Sequence, residues 1–213
     1  MENAIEPVFQ IGILIFSVVL HEVCHGYAAL ALGDKTAQYA GRLTLNPIKH
    51  VDPMGSIILP LFLSFLGGPI FGWAKPVPYN PYNLKNQKWG PAMVGVAGPA
   101  ANVALALFFG ILIRVLPVFA FGSAGLFIFH FMGIARIIVL INLMLALFNL
   151  IPIPPLDGSK VLFALLPYRW YGVQSFLERY GFFIVIFFIF SFSQWLTPAV
   201  VFLFRLFTGT FFF

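Results

Sequence analysis

The chain has 213 residues, of which 61% are hydrophobic, with 27 Phe, and only 9% are charged; soluble domains carry roughly 25% charged residues. This excludes a water-soluble globular protein, which would lack polar residues to cover its surface, and a disordered chain, because apolar area is in large excess. The net charge of +5, from 12 basic and 7 acidic residues, falls mostly in loops between apolar runs, so it reads as membrane orientation and lipid headgroup contact, with no nucleic acid as partner.

A membrane span needs about 20 apolar residues. The first covers 7–32; the acidic MENAIE before it lacks the basic start of a cleavable signal peptide. Segment 54–72 is apolar but broken by Pro60, Gly67, Gly68 and Pro69. Further spans are read over 91–117, 123–151 and 181–208. Lys35, Arg42, Lys49, Lys75, Lys85 and Lys88 all lie between the first span and the one beginning near 91. The positive-inside tendency keeps them on one side, so 54–72 is expected to be re-entrant or interfacial and to return to the side it left. Its flanks, 41–47 and 72–81, are punctuated by Pro and Gly and are expected to form short strands at the membrane edge. With the N-terminus outside, Lys160, Arg169 and Arg179 fall on the cytoplasmic side, Arg114 falls at the outer end, against the trend, and Arg136 falls mid-span. The expected fold is therefore an all-α polytopic membrane protein with about four full transmembrane helices, a re-entrant or interfacial segment and short membrane-edge β-strands. Residues 1–213 are read as a single membrane-embedded domain. The lone cysteine, Cys24, allows no internal disulfide.

The first span carries HEVCH at 21–25. His21 and His25, four apart, share one helix face, and Glu22 follows His21, which is the pattern of two zinc-binding imidazoles with a glutamate as general base. Ionisable residues cost roughly 2.5–3.5 kcal/mol each at the centre of a span, and a bound divalent cation offsets that cost for a cluster. A catalytic zinc takes three protein ligands. Of the seven acidic residues, Asp157 stands out as the third. It lies in FNLIPIPPLDG (148–158), where Pro152, Pro154 and Pro155 cut the apolar run and unwind the chain. His25 lies about eight residues, roughly 12 Å, from the inner end of its span, and Asp157 follows a span that ends on the same side. Cys24 is expected to be left out of the metal set, and His50 and Asp52 to fix a loop.

These residues together resemble the site-2 protease family of intramembrane zinc metalloproteases. The resemblance rests on HEVCH (21–25), GPAAN (98–102) and NLIPIPPLDG (149–158) and covers about residues 10–166. GRLTLNPIKHVDPMGS (41–56) and GWAKPVPYNP (72–81) are similar to a compact bacterial and archaeal subgroup that lacks a PDZ domain. The resemblance implies one Zn2+ per chain, held by His21, His25 and Asp157, with Glu22 as the catalytic glutamate. It implies that Asn149 steadies the reacting carbonyl and that Asn102 is a second polar residue near the site. It further implies peptide-bond hydrolysis in or near transmembrane segments of substrate proteins, in the cell membrane of a prokaryote, with the active site toward the cytoplasm. Two other readings use the same residues: a metal or proton transporter, which need not place Glu22 beside a ligand, and an idle scaffold, disfavoured because ligands and base are all present.

Overall fold

The structure, a computed structural model, describes residues 2–58, 62, 65, 73–119 and 124–210. Its longer helices are α1 (Glu2–Ala31), α2 (Gly90–Val115), α3 (Ala124–Asn149), α4 (Gly158–Leu165), α5 (Tyr171–Phe192) and α6 (Leu196–Thr208). Among the described residues, four stretches are long and apolar enough to cross a membrane: Phe9–Ala31, Gly90–Phe119, Gly125–Asn149 and Tyr171–Ser191. Together they make the chain a multi-pass integral membrane protein.

Helix α2 is the centre of the bundle and packs on α1, α3, α4 and α6. The main core joins Ala106 and Ile113 of α2 with Ala135, Val139 and Leu143 of α3 and Val200 and Phe204 of α6. A second cluster joins Ala29 of α1, Leu84 of the connection before α2, and Val94 of α2. Here the end of α1 is tied to the approach to α2. Asp34, fully buried, accepts from the backbone N–H of Asn80 at 2.6 Å and from Asn83 Nδ2 at 2.9 Å. The Lys85 N–H donates to the Leu32 carbonyl at 2.9 Å.

The fourth predicted span is displaced. The apolar run 181–208 is not one helix: α5 begins at Tyr171, and a turn at Ser193–Trp195 separates it from α6. Hydropathy alone does not register this break, because Phe and Trp flank the polar Ser193 and Gln194. The 13-residue α6 instead folds back on α2 and α3. Arg114, whose position ran against the charge trend, closes that helix. Its Nε donates to the Phe207 carbonyl at 2.8 Å and its Nη2 to the Leu206 carbonyl, so a cation satisfies the exposed carbonyls of a helix C-terminus.

The expected membrane-edge strands are absent: no strand occurs among the described residues. Residues 73–80 are extended, but their N–H groups pair with no ladder. Trp73 donates to Gly55, Lys75 to His50 and Val77 to the Glu22 carboxylate, while Pro76 and Pro78 have no N–H. Proline removes the donors a ladder needs, and those of Trp73, Lys75, Val77 and Asn80 go to the 50–55 stretch and to the carboxylates of Glu22 and Asp34. Segment 41–47 is likewise turn and coil, joined to 73–80 by Arg42 Nη2, which donates to the Lys75 carbonyl at 2.7 Å. Most of the expected re-entrant segment 54–72 lies outside the described residues; its first part is a π-helical turn, Pro53–Ile58.

Candidate metal centre

HEVCH lies in the second half of α1, on the face turned toward α2. His21 and His25 are 5% and 7% exposed, and Asp157, 7% exposed, reaches them from the loop between α3 and α4. The three offer ligand atoms that all lie within 4.8 Å of one another. His21 Nε2 and His25 Nε2 are 3.0 Å apart and stand 3.1 and 3.0 Å from the same oxygen, Asp157 Oδ2. Both rings are held from behind, His25 Nδ1 by the Val94 carbonyl at 2.6 Å and His21 Nδ1 by Asn102 Oδ1 at 2.5 Å.

Local sequence explains the convergence. Four-residue spacing stacks the imidazoles one turn apart, edge to face, with ring centroids 4.6 Å apart. The proline-rich stretch after α3 carries the chain away from the helix axis, and Asp157 sits where α4 begins. Gly158 admits no side chain, because a Cβ there would enter the Leu150 and Ile151 carbonyls. On the facing helix, Gly98 leaves the floor open: a Cβ would stand 2.5 Å from His25 Nε2 and 2.6 Å from His21 Nε2.

The donor set fits a divalent cation. A carbonyl only accepts, so neutral His25 carries its proton on Nδ1 and turns a bare Nε2 toward Asp157 Oδ2. Electron-pair donors packed this closely repel one another unless a cation lies among them. Tetrahedral zinc ligands, with bonds of about 2.0–2.2 Å, stand about 3.3 Å apart, close to the separations found. Lys160 Nζ takes the other carboxylate oxygen, Asp157 Oδ1, at 2.8 Å. Only Oδ2 then faces the imidazoles, which favours one-oxygen ligation.

The remaining candidates divide. Glu22 Oε2 accepts the Val77 N–H at 2.7 Å, so its carboxylate is oriented by the extended segment over α1. Asn102, fully buried, lies directly behind His21. Asn149 ends α3 and donates back to the Leu145 carbonyl at 2.9 Å; no described hydrogen bond joins it to the cluster. Cys24 is half-buried and outside the three-residue group. His50 Nε2 donates to the Thr44 carbonyl at 2.9 Å and Asp52 Oδ1 accepts from the Gly55 N–H at 2.7 Å, both within loops.

The chain is similar to known proteins over most of its length. It is 41% identical over 179 residues to the protein named "Putative zinc metalloprotease YwhC" of Bacillus subtilis, covering 82% of this chain and 77% of that one. The chain belongs to Peptidase family M50. The pattern of that family matches residues 127–192 directly. A second relative, "Putative zinc metalloprotease Rip2" of Mycolicibacterium smegmatis, is 31% identical over 193 residues, covering 86% of this chain and 70% of that one. No solved structure matches the chain. This M50 member is accordingly a zinc metalloprotease of the site-2 protease family, and Zn2+ is its cofactor.

Three contributors to the candidate centre escaped the sequence reading, the Val94 carbonyl, the Val77 N–H and Lys160, while Gly98 entered it only as the first residue of GPAAN. Lys160 was within reach of it, because it stands three residues after Asp157 at the start of a helix. The Val94 and Val77 groups are backbone and leave no residue-type signal.

Proposed function

We propose that this zinc metalloprotease hydrolyses peptide bonds in or near transmembrane segments of substrate proteins, as a single membrane-embedded domain over residues 1–213. His21, His25 and Asp157 hold the zinc and Glu22 is the general base. The observation that carries this reading is the convergence of three buried ligand atoms from α1 and the α3–α4 loop in a bundle of membrane-length helices. When bound, the ion supplies Lewis acidity that activates water and polarises the scissile carbonyl. Glu22 takes the proton of the attacking water and returns it to the leaving amine, with its carboxylate steadied by the Val77 N–H. Asn102 orients His21. Asn149 donates to the oxyanion once its amide swings away from the Leu145 carbonyl. The substrate helix must unwind locally, because its amides are otherwise consumed by its own hydrogen bonds.

Sidedness follows from where the basic residues gather. The Asp34–Asn80 and Leu32–Lys85 contacts bring the two ends of the 35–89 connection together. The Lys160 ammonium stands over the Tyr79 ring at 5.4 Å, which adds the α4 end to the same region. The positive-inside rule then assigns this end, and the active site, to the cytoplasm of a prokaryotic cell. A connection that starts and finishes on one side supports a re-entrant course for 54–72.

The test is zinc analysis with a cleavage assay on a single-span reporter protein. Asp157→Ala is expected to lose both zinc and cleavage, and Glu22→Gln to keep zinc while cleavage falls by several orders of magnitude. Full zinc and activity in Asp157→Ala would overturn the ligand assignment.

A further inference from the structure

Behind His21 and Asn102 the polar chain continues through two residues that the hydrolytic reading does not use. Ser17 of α1, Asn102 of α2 and Asn142 of α3 are 1%, 0% and 0% exposed, deep within spans where polar groups are costly. Asn142 Nδ2 donates to the Ile138 carbonyl at 2.8 Å and to Ser17 Oγ at 2.9 Å. Asn102 Nδ2 donates to Asn142 Oδ1 at 2.8 Å and lies 3.5 Å from the Ser17 carbonyl. Asn102 Oδ1 then meets His21 Nδ1.

The direction of this chain is set at its far end. A backbone carbonyl only accepts, so Asn142 must turn its amide nitrogen to Ile138 and its oxygen to Asn102. Asn102, facing an oxygen, must turn its own nitrogen that way and its oxygen to His21. An oxygen opposite His21 Nδ1 requires a proton on that ring nitrogen, which commits Nε2 to the cluster with Asp157. For His25 a single carbonyl does this directly; for His21 the same instruction arrives through two amides.

We propose that Asn142 and Ser17 are positioning residues of the metal centre: acting through Asn102, they keep the proton of His21 on Nδ1 and its Nε2 free to ligate. This rests on His21 being a zinc ligand. Outer partners that orient a metal-bound histidine typically affect metal affinity by about 10–100-fold. Without residue 142 as acceptor, Asn102 retains only the long contact to Ser17 and is free to turn its amide over. Its nitrogen would then face His21 Nδ1 and favour the opposite tautomer.

The experiment uses the full chain in detergent, with zinc affinity measured by chelator competition and the histidines labelled with 15N. Asn142→Leu is expected to weaken zinc binding about 10–100-fold and to expose a bare Nδ1 on His21 in the metal-free protein. Asn142→Asp, whose carboxyl still accepts from Asn102, is expected to stay within about threefold of wild type; a residue that merely fills space would be replaced better by Leu. Wild-type zinc affinity in a folded Asn142→Leu protein overturns the proposal. So does a bare His21 Nδ1 in the metal-free wild type, a measurement that needs no variant and decides the matter if the Leu protein does not fold. Unchanged zinc binding in His21→Ala would instead remove His21 from the ligand set, while the wild-type tautomer still judges the polar chain.

Discussion

Gly98 shapes the proposed metal centre by having no side chain. Ala is a better helix former than Gly, so Gly98→Ala leaves α2 intact. Its methyl group would nevertheless enter the space of both Nε2 atoms, whose rings are pinned by the Val94 carbonyl and Asn102 and have little room to withdraw. Zinc affinity is expected to fall at least about tenfold with the helical circular dichroism unchanged; chelator competition on the purified protein checks this. The same residues show what one sequence reveals. The convergence of His21 and His25 was legible because residues four apart share a helix face, and that of Asp157 because few acidic residues exist and prolines break the chain before it. Gly98, Ser17, Asn142 and Lys160 matter through which helix face meets which, and no single-helix pattern states that. Ser17 came nearest to being readable, since it lies one turn before His21 on α1. Asn149 matched by resemblance, yet its amide is engaged with its own helix.

The elements hold their places through polar pins as much as through apolar packing. Burial of Asp34 opposes its charge, but hydrogen bonds from Thr36, Asn83 and the Asn80 backbone outweigh this and hold its carboxyl below the usual carboxylate range. A carboxylate whose folded pKa is depressed stabilises the fold above its unfolded value, about 3.9, and loses that contribution as pH falls through the lower folded value. Asp34→Ala should therefore unfold at lower temperature than wild type at pH 7, with the gap closing as pH drops below about 4; thermal melts across pH measure it. Arg114→Ala removes the cap on α6 and is expected to cost about 1 kcal/mol, read as a lower melting temperature with zinc content unchanged. The spans before residue 151 were legible from hydropathy because loops with charge or proline bound them. The last was not, because α5 and α6 are joined by a turn too apolar to register. The expected strands failed on backbone chemistry: a stretch with prolines at 76 and 78 has too few donors for a ladder.

As a whole, the molecule divides its helices between a packed group and an outlying one. Buried residues make up 39% of the most apolar stretch of α1 but only 11% of that of α5. Most of α5 therefore lies outside the packed core, which is built from α1, α2, α3, α4 and α6. The proposed orientation predicts that cysteines placed at 38, 88 and 174 in a Cys24→Ser background react with a membrane-impermeant maleimide only from the cytoplasmic side, and one at 117 only from outside. Labelling of 38 and 88 from opposite faces would show that 54–72 crosses fully. That Lys35, Lys85 and Lys160 gather at one end could be argued from charge alone, but how the ends of a 55-residue connection meet depends on Asp34, whose partners lie about 46 positions further on.

The extended stretch over α1 links two distant parts of the protein. At one point its Val77 amide is tied to Glu22; four residues earlier its Trp73 indole meets Phe182 of α5 edge-on, with centroids 6.3 Å apart. An indole so placed is a built-in optical reporter. Trp73 emission, isolated by subtracting the spectrum of a Trp73→Phe protein, should shift whenever this stretch lifts from the base or α5 swings away, so that arrival of a polypeptide at the centre can be timed by light without attaching a dye.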